Sequence, residues 1–241
     1  MELLNRAIVA VHDAGLSELL YQAWIIVVYL VVAVFCFFWR RHYGYDWLRA
    51  LFIPLVLLLG LNFLILLLGW AFTGFTQFGN KNIVIGYPFV PLLTMALARL
   101  MRDDWRRMMD FMTPAFPLTQ VVAKISCCFA GCCFGFPMEH GLWNPVFGMT
   151  LFPVQLLESL VALIVTCLCV LLARRTNYRA DGRMYPAFLI LFGSTRFFLE
   201  FLRVNIKVFW LVSELALWAL VMVIAGAVWL ARKKGNRRAA R

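Results

Sequence analysis

Charge is scarce in this 241-residue sequence. Asp, Glu, Lys and Arg together make up 15% of it, while hydrophobic residues make up 63%, against about 45 to 50% apolar and about 25% charged in an ordinary soluble domain. That scarcity excludes a water-soluble fold. No polar stretch long enough to form a domain interrupts the apolar runs, so one polytopic membrane domain over residues 1–241 is expected. No small-residue cleavage site follows the first apolar stretch, and residues 19–38 read as a retained span instead of a cleaved signal. An internal repeat is missing too, as is any matched pair of broken helices in two halves, which argues against a secondary transporter. Seven cysteines, an odd number lying mostly inside apolar segments, argue against a disulfide framework.

What is present is a succession of apolar windows near 19–38, 48–70, 83–101, 113–134, 151–172, 184–202 and 208–231. They predict an all-α integral membrane protein, a seven-transmembrane helical bundle. The fourth window, interrupted by Pro114, Pro117 and Gly131, reads as broken or re-entrant. The basic residues fix an orientation. Seventeen Arg and Lys residues fall in segments 40–49, 99–107, 174–183 and 232–241, against Arg6, Lys81, Arg203 and Lys207 on the other side. Positive charge accumulates on the cytoplasmic side, so the N-terminus is expected outside and the C-terminus in the cytoplasm. The same distribution explains the net charge of +11 without nucleic acid, which is not an expected partner.

Away from the basic cytoplasmic ends, several charged residues lie within the apolar windows: Lys124, Glu158, Arg196, Glu200 and Glu214, with Arg203 at the outer end of the sixth. Each costs at least about 2.5 to 3.5 kcal/mol near a bilayer centre and calls for a partner or a task. All but Lys124 are expected in the outer half. The spacing 196, 200, 203 places Arg196, Glu200 and Arg203 on one helical face, which must point inward. Mutual neutralisation is one reading of that face. The other is an outward-opening cavity in which cations hold an anion whose tails stay in lipid, as a phospholipid head group does. Arg suits this task because its planar fork gives two parallel hydrogen bonds to phosphate oxygens.

The segment KISCCFAGCCFG, residues 124–135, carries four cysteines. It has neither the C-x2-C pair nor the polar loop usual for zinc, so no metal is expected. A redox pair is an alternative. The favoured reading is that these small residues, with Gly131 and Gly135, let helices approach closely. Cys36, Cys167 and Cys169 read as small packing residues. The loop 136–150, with Glu139, His140 and Trp143, is expected outside, and its lone histidine reads as solvated or as a base.

KISCCFAGCCFG at 124–135, PVQLLES at 153–159 and GSTRFFLEFLR at 193–203, in that order, resemble the prolipoprotein diacylglyceryl transferase family. Asp110, Pro114, Gln120, Gly182 and Tyr185 are also similar to the family pattern, and GNKNIVIG at 79–86 faintly resembles its third span. The resemblance implies a seven-span enzyme of the bacterial plasma membrane. Such an enzyme moves the diacylglyceryl group of phosphatidylglycerol, or a similar anionic phospholipid, onto the cysteine thiol of a lipoprotein-precursor signal peptide. A thioether forms, glycerol phosphate leaves and no cofactor is needed. Residue by residue, it implies catalytic roles for Arg196 and Lys124, and substrate-binding roles for Arg203, Glu200, Glu158, Gln155, Gly135, Cys127 and Cys132.

The chain departs from the family pattern in places. Lys124 stands for an arginine and lacks its bidentate fork. Cys127 and Cys132 replace what are often Asn and Glu. The family's His-Gly-Gly stretch reads NIVIGYPFVP here, without histidine, and none of His12, His42 or His140 fits; a family tyrosine corresponds to Tyr21 or Tyr29. Two other readings therefore stand beside the transferase: a phospholipid-using transferase with another acceptor, and a non-catalytic lipid-binding or assembly protein.

Overall fold

The computed structural model describes residues 1–72, 83–204 and 213–239. Lys81, Lys207, residues 79–82 of GNKNIVIG and the start of the 208–231 window lie outside the described residues. Helices α1 (Glu2–Asp13), α2 (Ser17–Trp39), α3 (Trp47–Phe72), α4 (Ile83–Gly86) and α5 (Val90–Met101) are followed by α6 (Trp105–Met112) and α7 (Ala115–Ala130). After a hairpin of β1 (Pro137–Asn144) and β2 (Met149–Leu151) come α8 (Val154–Arg175), α9 (Met184–Glu200) and α10 (Glu214–Ala239). Among the described residues, five stretches are long and apolar enough to cross a membrane: Ser17–Tyr43, Trp47–Ala71, Ile83–Met101, Val154–Arg175 and Glu214–Lys233. The protein is a helical integral membrane protein.

Helices α7 and α9, with 16 and 17 residues, are shorter than the roughly 20 residues that a hydrocarbon core about 30 Å thick requires. They are also the helices that carry Lys124, Arg196 and Glu200. The expected window at 113–134 is broken at its start. Helix α6 ends at Met112, and Pro114, which has no N–H to donate, caps the N-terminus of α7. At the other end Gly131, at φ 66°, supplies the left-handed residue that stops the helix.

The helices pack in the order α10 on α9, α9 on α8, α8 on α7, α7 on α2 and α2 on α3. Glycine sets the closest of these contacts. A Cβ on Gly226 would come within 2.6 Å of the Pro186 carbonyl, and one on Gly193 within 2.8 Å of the Ala219 carbonyl, so α9 and α10 meet backbone to backbone. Aromatic side chains fill the interior, where Tyr87, Phe116, Tyr185 and Phe188 are buried in mutual contact. Their polar tips are satisfied: the Tyr185 hydroxyl donates to the Tyr87 carbonyl at 2.5 Å, and the Tyr87 hydroxyl to the Phe116 carbonyl at 3.3 Å. Asp110 accepts the backbone N–H groups of Gly182 and Met184 at 2.6 and 3.1 Å, tying α6 to the start of α9. Thus Asp110, Gly182 and Tyr185 have structural work of their own.

Large apolar side chains point outward along the long helices, among them Leu30, Phe38, Phe63, Leu160 and Ile224. An apolar exterior of this extent requires lipid as its solvent. Cys36 and Cys169 are buried packing residues, whereas Cys167 joins the exposed face of α8.

Two elements were not legible in the sequence. The N-terminal tail is helical and lies on the hairpin: Asn5 donates to the Gly141 carbonyl at 3.2 Å and accepts from the Trp143 N–H at 2.9 Å. Ile8 is buried beside Cys128 and Leu142. The segment 136–150, expected as a plain loop, is the antiparallel hairpin, and its Asn144 side chain accepts the N–H groups of Val146 and Phe147 while donating to the Gly131 carbonyl.

Gly226→Ala is expected to lower the thermal unfolding midpoint of the detergent-purified protein, since overpacking against a backbone carbonyl costs about 1 to 3 kcal/mol. Gly60→Ala, whose added methyl meets only the Leu93 side chain at 3.8 Å, is expected to leave stability within about 0.5 kcal/mol of wild type or raise it, so that the midpoint does not fall appreciably.

Candidate anion site between α7, α8 and α9

Glu158, on the first turns of α8, is 4% exposed at its side chain, and three cations converge on it. Lys124 Nζ approaches one oxygen at 2.7 Å from α7. The Arg196 guanidinium pairs with the other oxygen from α9. Arg203 brings Nε to 2.8 Å of the second oxygen and Nη2 to 3.0 Å of the first. Glu200 lies on the far side, with Oε2 3.3 Å from Arg196 Nη2 and 3.9 Å from Arg203 Nη1, and accepts a hydrogen bond from Ser213 at 3.0 Å. Lys124, at 13% exposure, is the most open of the five side chains. Three cations against two carboxylates leave one unit of positive charge in a nearly closed, low-dielectric cluster. Such a cluster attracts an anion far more strongly than the same charges do in water.

The expected helical face 196, 200, 203 is built differently. Helix α9 ends at Glu200, and Arg203 lies beyond it in a short bridge to Gly135. Its guanidinium still reaches the cluster because the chain doubles back, with the Val204 N–H donating to the Phe134 carbonyl at 3.4 Å. Gly135 makes that return possible. A Cβ there would stand 2.9 Å from the Leu202 carbonyl and 2.9 Å from Val154 Cγ2, so this position serves close backbone approach. Lys124 stands level with the other charges, through its contact with Glu158.

Gln155, one turn before Glu158, donates Nε2 to the Cys132 carbonyl at 2.7 Å. Its Oε1 is buried without a hydrogen-bond partner among the described residues. Ser159 donates to the Val121 carbonyl at 2.7 Å and Trp24 to the Val122 carbonyl at 2.8 Å, clamping α8 and α2 to the α7 turn that carries Lys124. Cys127 and Cys132 lie beside this turn, and so does Cys133, which the sequence reading passed over. Cys133 Sγ stands 3.7 Å from Lys124 Nζ.

Other sequence candidates are elsewhere. His140 is exposed on β1, His12 contacts Trp143 edge to face, and His42 stacks on Tyr178 at 4.0 Å. Glu214 is exposed at the first turn of α10, where a carboxylate complements the helix dipole. Tyr29 accepts a hydrogen bond from Asn62 at 3.2 Å.

All five charged residues and all three cysteines fall within residues 84–232, which match the family model for prolipoprotein diacylglyceryl transferase. The chain belongs to this family. Among relatives, it is 28% identical over 138 residues to phosphatidylglycerol--prolipoprotein diacylglyceryl transferase 2 of Clostridium perfringens (strain 13 / Type A), covering 54% of this chain and 53% of that one. It is 28% identical over 107 residues to phosphatidylglycerol--prolipoprotein diacylglyceryl transferase of Clostridium tetani (strain Massachusetts / E88), covering 42% of each. The alignment with the Dehalococcoides mccartyi (strain ATCC BAA-2266 / KCTC 15142 / 195) protein of that name is 26% identical over 109 residues and covers 41% of this chain and 40% of that one. The chain thus spans about half the length or less of the relatives it matches. The cluster lies inside the matched span, at the point where segments 124–135, 153–159 and 193–203 meet.

Removing the hub of the cluster is expected to be severe. Glu158→Ala leaves three cations mutually repelling and is expected to cost about 3 to 5 kcal/mol, read as a large drop in the thermal unfolding midpoint in detergent. The double variant Glu158→Ala with Lys124→Met, which removes one of those cations, is expected to recover part of the loss.

Proposed function

We propose that this chain transfers the diacylglyceryl group of phosphatidylglycerol to the thiol of a lipoprotein-precursor cysteine. The observation that carries the reading is the buried cluster with one surplus positive charge, built from the residues that match the family's motifs. Phosphatidylglycerol carries one negative charge on its phosphate, the charge the cluster lacks. Arg196 and Lys124 hold that phosphate, Arg203 supports it, and Glu158 and Glu200 fix the cations in place before substrate arrives.

In the reaction the sulfur attacks the glyceryl carbon that bears the phosphate ester. A C–S bond forms as the C–O bond breaks, and negative charge gathers on the departing phosphate. Preorganised cations aimed at that charge lower the barrier because they need no reorganisation during the step. The proton lost by the thiol ends on the phosphate monoester, so charge balances: one anion and a neutral thiol give a neutral thioether and glycerol phosphate with one charge. The same field favours the thiolate over the thiol before attack. Gln155 Oε1 is a free acceptor at the site for a hydroxyl of the head group. Gly135 acts through the chain return that seats Arg203, and Cys127 and Cys132 border the site on the α7 side.

The seven-span arrangement belongs to this reading. Helices α7 and α9 complete the bundle as short crossings, with the N-terminus outside, the C-terminus in the cytoplasm and residues 1–241 forming one domain of the bacterial plasma membrane. That orientation puts the cluster near the outer face, where an exported precursor presents its cysteine.

The test is purified protein in detergent containing phosphatidylglycerol, with a peptide bearing a lipoprotein-precursor cysteine. Peptide mass is followed for a diacylglyceryl adduct, and glycerol phosphate release is measured. Wild type is expected to give both products and Arg196→Ala neither, with at least a 100-fold loss of rate, about 2.7 kcal/mol of transition-state stabilisation. Lys124→Arg is expected to retain transfer, since it keeps the charge and adds a fork. Full activity in Arg196→Ala would overturn the assignment, and head-group release without peptide modification would point to another acceptor.

A further inference from the structure

The sulfur atoms of Cys127, Cys132 and Cys133 all lie within 4.8 Å of one another. They come from the last turn of α7 and the bend that follows it, and two backbone features bring them together. Gly131 turns the chain at φ 66°, and Cys133 adopts φ 62°, a left-handed conformation that a non-glycine residue seldom takes without cause. We propose that these three cysteines form a binding site for one thiophilic divalent cation, of the zinc and cadmium class.

The donor set fits that chemistry. Zinc takes thiolate at about 2.3 Å, which places neighbouring sulfurs roughly 3.8 Å apart in a tetrahedral shell, and sulfurs within 4.8 Å of one another close onto such an ion by moving about 1 Å. A disulfide uses two sulfurs and leaves the third idle, whereas a metal uses all three. Zinc with three thiolates carries one net negative charge. Lys124, 3.7 Å from Cys133 Sγ, is the neighbouring cation. Cys127 is buried while Cys132 and Cys133 are partly exposed, so the ion has a way in and a place for a fourth ligand. Cys128, though adjacent in sequence, turns away and donates to the Lys124 carbonyl at 3.6 Å. Spacing rules count ligands along a strand or loop, and here the helix end and the bend after it do the gathering. On binding, each thiol passes its proton to solvent and the ion stays divalent, so affinity rises with pH.

The experiment uses the full chain in detergent, reduced and handled without oxygen, titrated with Zn²⁺ alone and freed of excess, and it does not depend on transferase activity. One zinc per chain is expected, with X-ray absorption giving three sulfur scatterers at about 2.3 Å. Cys127→Ser, Cys132→Ser and Cys133→Ser are each expected to lower retained zinc at least 10-fold, while Cys128→Ser and Cys169→Ser retain it. Monodisperse elution of each variant separates loss of the site from loss of the fold. No retained zinc in the reduced wild-type chain, fewer than three sulfurs around the metal, or equal loss in Cys128→Ser would each overturn the proposal.

Discussion

A carboxylate buried among three cations is the constraint from which the functional half of this protein follows. Glu158 cannot stay ionised in a low-dielectric interior unless cations attend it, and the cations cannot stay there without it. Lys124, Arg196 and Arg203 therefore have to arrive at one point from α7, from α9 and from the chain beyond α9. That requirement locks three separate segments into register more tightly than apolar contacts do, since apolar side chains in lipid gain little by choosing one neighbour over another. The charges lower stability as isolated groups and specify geometry as a set.

Much of the remaining backbone serves this convergence. Gly135 admits the chain that carries Arg203 back to the site, and Gly193 and Gly226 let α9 lie close on α10. Ser159 and Trp24 clamp α7, and Asn144 ties the hairpin to the residue that ends α7. Of these, the Asn144 bond to Gly131 satisfies a backbone carbonyl where α7 stops. In a membrane such a group has no water to fall back on. The shortness of α7 and α9 belongs with this: the turns that end them fall beside the charged cluster.

The helical membrane character was legible because hydropathy over a 20-residue window is a local property, and the ionisable residues stood out against it. Their importance could be read from position alone. Their partners on other helices could not. Arg196, Glu200 and Arg203 share a helical spacing that suggested mutual pairing, and Glu200 does lie near both arginines, but the structure adds Glu158 as the partner both arginines share and ends the helix before Arg203. Spacing within one helix says nothing about what a neighbouring helix presents. The same limit hid α1, whose apolar residues have meaning only against the hairpin, and the hairpin itself, whose second strand has three residues and whose pairing register is irregular. It also hid Cys133, which is placed at Lys124 by a positive φ instead of by helical period.

The absent family histidine bears on how the proposed transfer is driven. The three histidines present sit on exposed or aromatic surfaces away from Glu158, so proton removal from the thiol cannot rest on a neighbouring imidazole. A cluster with surplus positive charge offers another route. It stabilises the thiolate and the departing phosphate with the same field, and both charges exist for part of the same step. Lys124 brings a compact ammonium that faces Glu158 and Cys133 at once, where a planar fork would commit to one partner.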